Sequence, residues 1–186
     1  VLALTAGIAP AFAHGGGDVA SGFLGGLAHP LSGPDHVAAM VAVGLWGAML
    51  GPPALWLLPV AFPLMMAFGG VLGIAGVPIP HVEIGIAVSA IVLGLMVAFS
   101  VRAPLVLAMA LVAAFAIFHG HAHGAELPPG ADAIAFSAGF VIATGLLHLC
   151  GIGFGVTTRW PAGQLAVRLA GGAIVVAGVV FLRAAL

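Results

Sequence analysis

Apolar residues fall along this chain in long continuous runs, at 21–50, 53–76, 81–100, 103–123, 131–155 and 163–185. A helix needs about 20 mostly apolar residues to cross a bilayer, and each run is close to that or longer. The breaks carry turn signals: Gly51-Pro52-Pro53, Gly76 to Pro80, Pro104, Leu127-Pro128-Pro129-Gly130 and Arg159-Trp160-Pro161. The pattern predicts an all-α, polytopic integral membrane bundle of six transmembrane helices. The first run is interrupted by Pro30, Gly33 and Pro34. A proline has no N–H and its ring clashes with the preceding turn, so the first helix is predicted to break near 30–34. Three small-xxx-small pairs, Gly47/Gly51, Gly69/Gly73 and Gly151/Gly155, mark expected close packing between helices.

The first thirteen residues are read separately. VLALTAGIAPAFA ends in Ala11-Phe12-Ala13, an A-x-A-like cleavage site, and Pro10 interrupts it. The expectation is a signal-peptide-like segment over 1–13, followed by one six-helix transmembrane domain over 14–186. The alternative is a short extra helix. A signal peptide would put the mature N-terminus outside the cytoplasm of a bacterium, in its inner membrane. Arg102, Arg159 and Arg168 then fall on the cytoplasmic side and only Arg183 outside, in keeping with the positive-inside rule.

Composition sharpens this picture. Only 5% of the 186 residues are charged, against about 25% in an ordinary soluble domain, so the chain cannot cover a soluble surface. The net charge of −1, with four arginines and no lysine, excludes a nucleic-acid binder. One cysteine, Cys150, excludes a disulfide framework and a multi-thiolate metal site within one chain. Against this poverty of charge stand eight histidines. Seven of them, with all five acids, fall in the outer half or the outer loops of the expected topology; His148 lies deeper. An acidic, imidazole-rich vestibule suits capture of a divalent cation.

Two constellations carry the chemistry. The first is His29-Pro30-Leu31-Ser32-Gly33-Pro34-Asp35-His36. Ionisable groups inside a membrane helix are costly and mark function by default. A broken helix frees backbone carbonyls to face a cavity, as at transporter sites. The bland reading is a capping box, Ser32-x-x-Asp35, that restarts a helix; it leaves the two flanking histidines unexplained. Met40, one turn beyond His36, could line the same path. The second constellation is Phe118-His119-Gly120-His121-Ala122-His123-Gly124-Ala125-Glu126. His119 and His123 share a helical face, and Glu126 joins them if the helix persists. Imidazole and carboxylate are good ligands for first-row divalent metals. The candidate metal ligands are therefore His29, Asp35, His36, His119, His123 and Glu126. His121, His81, Glu83, His148 and His14 are secondary candidates, each with a structural alternative such as helix capping for Glu83 or bundle hydrogen bonding for His148. The two motifs are expected to meet in one polar cavity, with the first and fourth membrane helices side by side.

HPLSGPDHVAAMVAVGLWGA (29–48) and FHGHAHGAE (118–126) together resemble the HupE/UreJ family of bacterial nickel permeases, and the resemblance extends over the whole chain. Its first motif, His-x5-Asp-His, is carried by His29, Asp35 and His36; its second, Phe-His-Gly-x-Ala-His-Gly-x-Glu, by His119, His123 and Glu126. The resemblance implies uptake of nickel, or of cobalt in some members, with zinc also suited to these donors as a bound ion. No resident cofactor is expected. No Gly-rich Lys-Ser/Thr phosphate loop is present, so a secondary or facilitated transporter is expected rather than an ATPase or another enzyme. The expected partners are the metal ion and the bilayer, with the oligomeric state left open. The alternatives are an intramembrane metal-dependent hydrolase and an accessory membrane subunit with a regulatory metal site.

Overall fold

The computed structural model describes residues 22–127 and 130–186. The signal-peptide-like segment 1–13 and His14 lie outside the described residues. The described chain is helical throughout: α1 (Phe23–Ser32), α2 (Pro34–Leu50), α3 (Ala54–Ile74), α4 (Val82–Ala98), α5 (Leu105–Ala125), α6 (Ala133–Gly155), a short 3-10 turn (Val156–Arg159) and α7 (Pro161–Ala185). Four of these, α3, α5, α6 with its 3-10 extension and α7, are long and apolar enough to cross a membrane. α2 and α4 are apolar but reach only 17 residues each.

The first apolar run is two helices, and the break falls on Gly33. Gly33 is extended (φ −99°, ψ 101°), and Pro34 starts α2 at the one turn where a missing N–H costs nothing. Within α1, Pro30 is tolerated but withdraws a second backbone donor. The capping box does not form. The Ser32 hydroxyl turns back and donates to the His29 carbonyl (2.6 Å), and Gly33 caps α2 with no side-chain bond. Other boundaries move by a few residues. α4 ends at Ala98 because Ser100 takes a left-handed conformation (φ 53°). α5 runs on to Ala125, which leaves Glu126 at its C-cap. α6 starts at Ala133, where Asp132 accepts the amides of Ile134 and Ala135.

Packing pairs α3 with α5, α4 with α7, and both α1 and α2 with α6. Small residues let these backbones touch. A methyl group on Gly120 would stand 1.8 Å from the Met66 carbonyl oxygen, and one on Gly69 2.3 Å from that of Ile117. Gly151 meets the Val41 carbonyl in the same way, across α2 and α6. A methyl group on Gly51, in contrast, would meet none of the described residues within 4 Å; Gly51 closes α2 with a positive φ of 76° that only glycine takes without strain. Met40, Trp46, Leu58, Phe62, Leu93 and Val112 are fully buried and form the core. One face of α3 (Trp56, Val60, Leu64, Phe68, Val71) and one of α7 (Leu165, Leu169, Val176, Val180) are exposed and apolar, the expected dress of a lipid-facing surface.

Candidate metal centre

Consecutive long helices run in opposite directions, so the end of α5 and the start of α6 share one end of the bundle with α1. The two histidine motifs gather there. Arg102 and Arg168 line a cavity at the other end, where Arg168 donates through Nε to the Ala98 carbonyl (2.9 Å). That cavity also takes in Ser100, Thr158 and Gln164. The Trp46 indole N–H holds the nearby Val101 carbonyl at 2.9 Å.

At the mouth, Nε2 of His29 and Nδ1 of His123 share a hydrogen bond of 2.9 Å. One donor atom each from His29, His123 and Glu126 lie within 4.8 Å of one another, the spacing at which three ligands can close on one ion. Phe136 and Phe140 of α6 back these rings, with the Phe140 centroid 4.4 Å from that of His123. One step deeper, the His36 ring stands edge-on to His119 at 4.7 Å between centroids and 4.5 Å from His123. The expected pairing of motifs is therefore present, but the expected side-by-side helices are not. α1 and α2 lie along α6, α5 lies along α3, and the histidines bridge the space between them.

The hydrogen bonds show which nitrogens are free. Asp35 Oδ1 accepts both the backbone N–H and the Nδ1–H of His36, each at 2.8 Å. A carboxylate can only accept, so Nδ1 of His36 carries the proton and Nε2 keeps a lone pair. That Nε2 is buried without a partner among the described residues, as are Nδ1 of His119 and Nε2 of His123. A buried polar atom left unpaired costs about 1–3 kcal/mol. Three such nitrogens lie within one cluster, and imidazole nitrogen is a good ligand type for first-row divalent metals. Asp35 thus stands behind His36 through Oδ1, the arrangement by which carboxylates orient metal-bound histidines.

The secondary candidates separate clearly. His121 donates through Nε2 to the Val77 carbonyl (2.7 Å), which ties it to the α3–α4 connection and away from the cluster. His81 is exposed and caps α4 in a left-handed conformation (φ 57°). Glu83, one turn into the same helix, lies within electrostatic reach of Asp35, His36 and Glu126 and adds to a negative mouth. Met40 lies buried one turn below His36. His148 is buried in α6, edge-on to Phe62 at 5.4 Å, and Phe62 in turn packs 5.5 Å from His119. The Pro59 carbonyl, which lost its helical partner to Pro63, approaches the His148 ring without reaching hydrogen-bond geometry. Neither nitrogen of His148 has a partner, nor does the hydroxyl of Thr144 one turn earlier.

Sequence reading missed Ser89. Its hydroxyl shares a hydrogen bond of 2.9 Å with Nε2 of His119 in a fully buried position. The signal was there: Ser89 is the sole hydroxyl between Ile84 and Ala98, and an isolated polar group in a membrane helix needs a partner.

A bundle of apolar helices with a cluster of imidazoles and carboxylates gathered at one end defines a multi-pass helical membrane protein. The chain belongs to the HupE/UreJ family: the family model described as HupE / UreJ protein matches residues 2–181. It is similar to the Protein HupE of Rhizobium leguminosarum bv. viciae, with 49% identity over 174 residues, covering 93% of this chain and 91% of that protein. No solved structure matches it.

Proposed function

We propose that the chain is a secondary or facilitated transporter that takes up a divalent transition-metal ion, nickel foremost and cobalt next. The resemblance of both motifs supplies the ion. The observation that carries the reading is the meeting of His29, His123 and Glu126 within ligand-closing distance at one end of a largely apolar bundle. Glu83, Asp35 and Glu126 concentrate cations there. The ion exchanges part of its water for His29, His123 and Glu126, then passes to Nε2 of His36 and Nδ1 of His119. Thr144 and His148 are the onward polar groups, beyond Phe62. Several stations of modest strength suit conduction better than one tight site, because the ion must also leave. The histidine end faces the periplasm and the Arg102 end the cytoplasm.

A membrane hydrolase needs a cleft that brings substrate to a metal-bound water. A cleft of about 190 Å³ between α3, α5 and α6 does reach His123, but among the described residues its other walls are apolar save Ser137, and no carboxylate among them lines it to serve as a base. The transporter reading is the better supported. Proteoliposomes containing only this chain should accumulate external nickel down its gradient, at rates well above empty vesicles. Nickel binding without accumulation would instead describe an accessory metal-binding subunit.

A further inference from the structure

The Ser89 hydroxyl stands between two partners, the Ile86 carbonyl oxygen at 2.6 Å and Nε2 of His119 at 2.9 Å. It has one proton to give. The carbonyl can only accept, and two oxygens at 2.6 Å with no proton between them would repel. The proton therefore goes to Ile86, as helical serines commonly bond back one turn. Ser89 Oγ is left as an acceptor, and Nε2 of His119 must be the donor. The other nitrogen, Nδ1, is buried with no partner. A second proton there would place a charged ring and an unpaired donor in an apolar interior, a heavy cost. The ring is thus neutral, protonated at Nε2 and bare at Nδ1.

We propose that Ser89 is a positioning residue, which holds His119 in one tautomer and one ring orientation so that Nδ1 is presented to a divalent metal ion. The identity of that ligand rests on the transport reading; the tautomer does not. His36 is prepared in the mirror sense, with Asp35 holding Nδ1–H so that Nε2 is bare. One motif histidine is therefore set by its own sequence neighbour, and the other by a hydroxyl 30 residues away on α4. Partners of this kind, standing behind a metal ligand, typically contribute 10–100-fold to affinity.

The test uses the full chain in lipid nanodiscs, labelled with ¹⁵N-histidine and free of metal, with the His119 signals assigned by their loss in His119→Gln. Ring nitrogen shifts should show His119 protonated at Nε2 and bare at Nδ1. In Ser89→Ala the Nε2–H loses its acceptor, so the single ring state should give way to a mixture, and nickel affinity should fall roughly 10–100-fold. Ser89→Thr keeps the hydroxyl and should restore both. A His119 protonated at Nδ1 in the unaltered chain overturns the proposal, as does a Ser89→Ala chain with unchanged ring state and nickel affinity. If Ser89→Ala fails to fold, the spectrum of the unaltered chain decides alone. The expected spectrum in a chain that binds no nickel would uphold the tautomer lock and sink the transport reading.

Discussion

Asp35 combines two duties that one substitution can separate. Its Oδ1 orients His36 through two hydrogen bonds, and on the transport reading its charge helps hold a dication in a medium of low dielectric. Asparagine keeps the shape and one acceptor oxygen but removes the charge. Asp35→Asn should therefore insert and fold yet lose at least about tenfold in nickel uptake, as expected for a partner behind a metal ligand. Glu126→Gln, at the exposed rim, should slow uptake at low metal and approach normal rates at saturation. Uptake assays across a range of nickel concentrations read both, and normal uptake by correctly inserted Asp35→Asn would remove Asp35 from the path. The sequence made these residues visible because imidazoles and carboxylates are so rare in so apolar a chain. It did not separate direct ligand from supporting residue. That distinction depends on which oxygen meets which ring nitrogen, and spacing holds no such information: His121 sits amid the second motif yet bonds to Val77, while Ser89 lies outside both motifs yet touches His119.

Among the elements, the α3–α5 seam brings two backbones into close approach. With Gly120 against the Met66 carbonyl and Gly69 against Ile117, there is no space for an added methyl, and the obstructing atoms are backbone. Gly120→Ala should lower thermal stability in detergent by about 1–3 kcal/mol, the usual cost of overpacking, or prevent folding. Gly172→Ala, where the new methyl meets nothing, is the matched control. An equally stable Gly120→Ala would mean that the seam is looser than described. The helices themselves were legible from apolar runs, including the break before Pro34, because proline and glycine act locally. Their partners were not. That α1 and α2 choose α6 while α5 chooses α3 is decided by which small residues face which carbonyls, and every run in this chain is rich in alanine and glycine taken together.

For the whole molecule, the short α1 has an electrical consequence. Ten residues span about 15 Å, half of a hydrocarbon core about 30 Å thick. On the transport reading, the ion enters beside the break at Gly33 through a negative, hydrated mouth, which takes the place of part of the insulator. The membrane voltage then drops mainly across the layer between His36 and the Arg102 end. One elementary charge crossing the full potential gains about 2.3 kcal/mol per 100 mV, and a divalent ion gains twice that. A large share of this work would be done on the single inward step past His36 and His119. Initial nickel uptake should therefore rise several-fold when vesicles are poised at about 100 mV, negative on the Arg102 side, and fall when the sign is reversed. Rates indifferent to voltage would mean that the ion leaves the histidines without carrying net charge across the remaining dielectric.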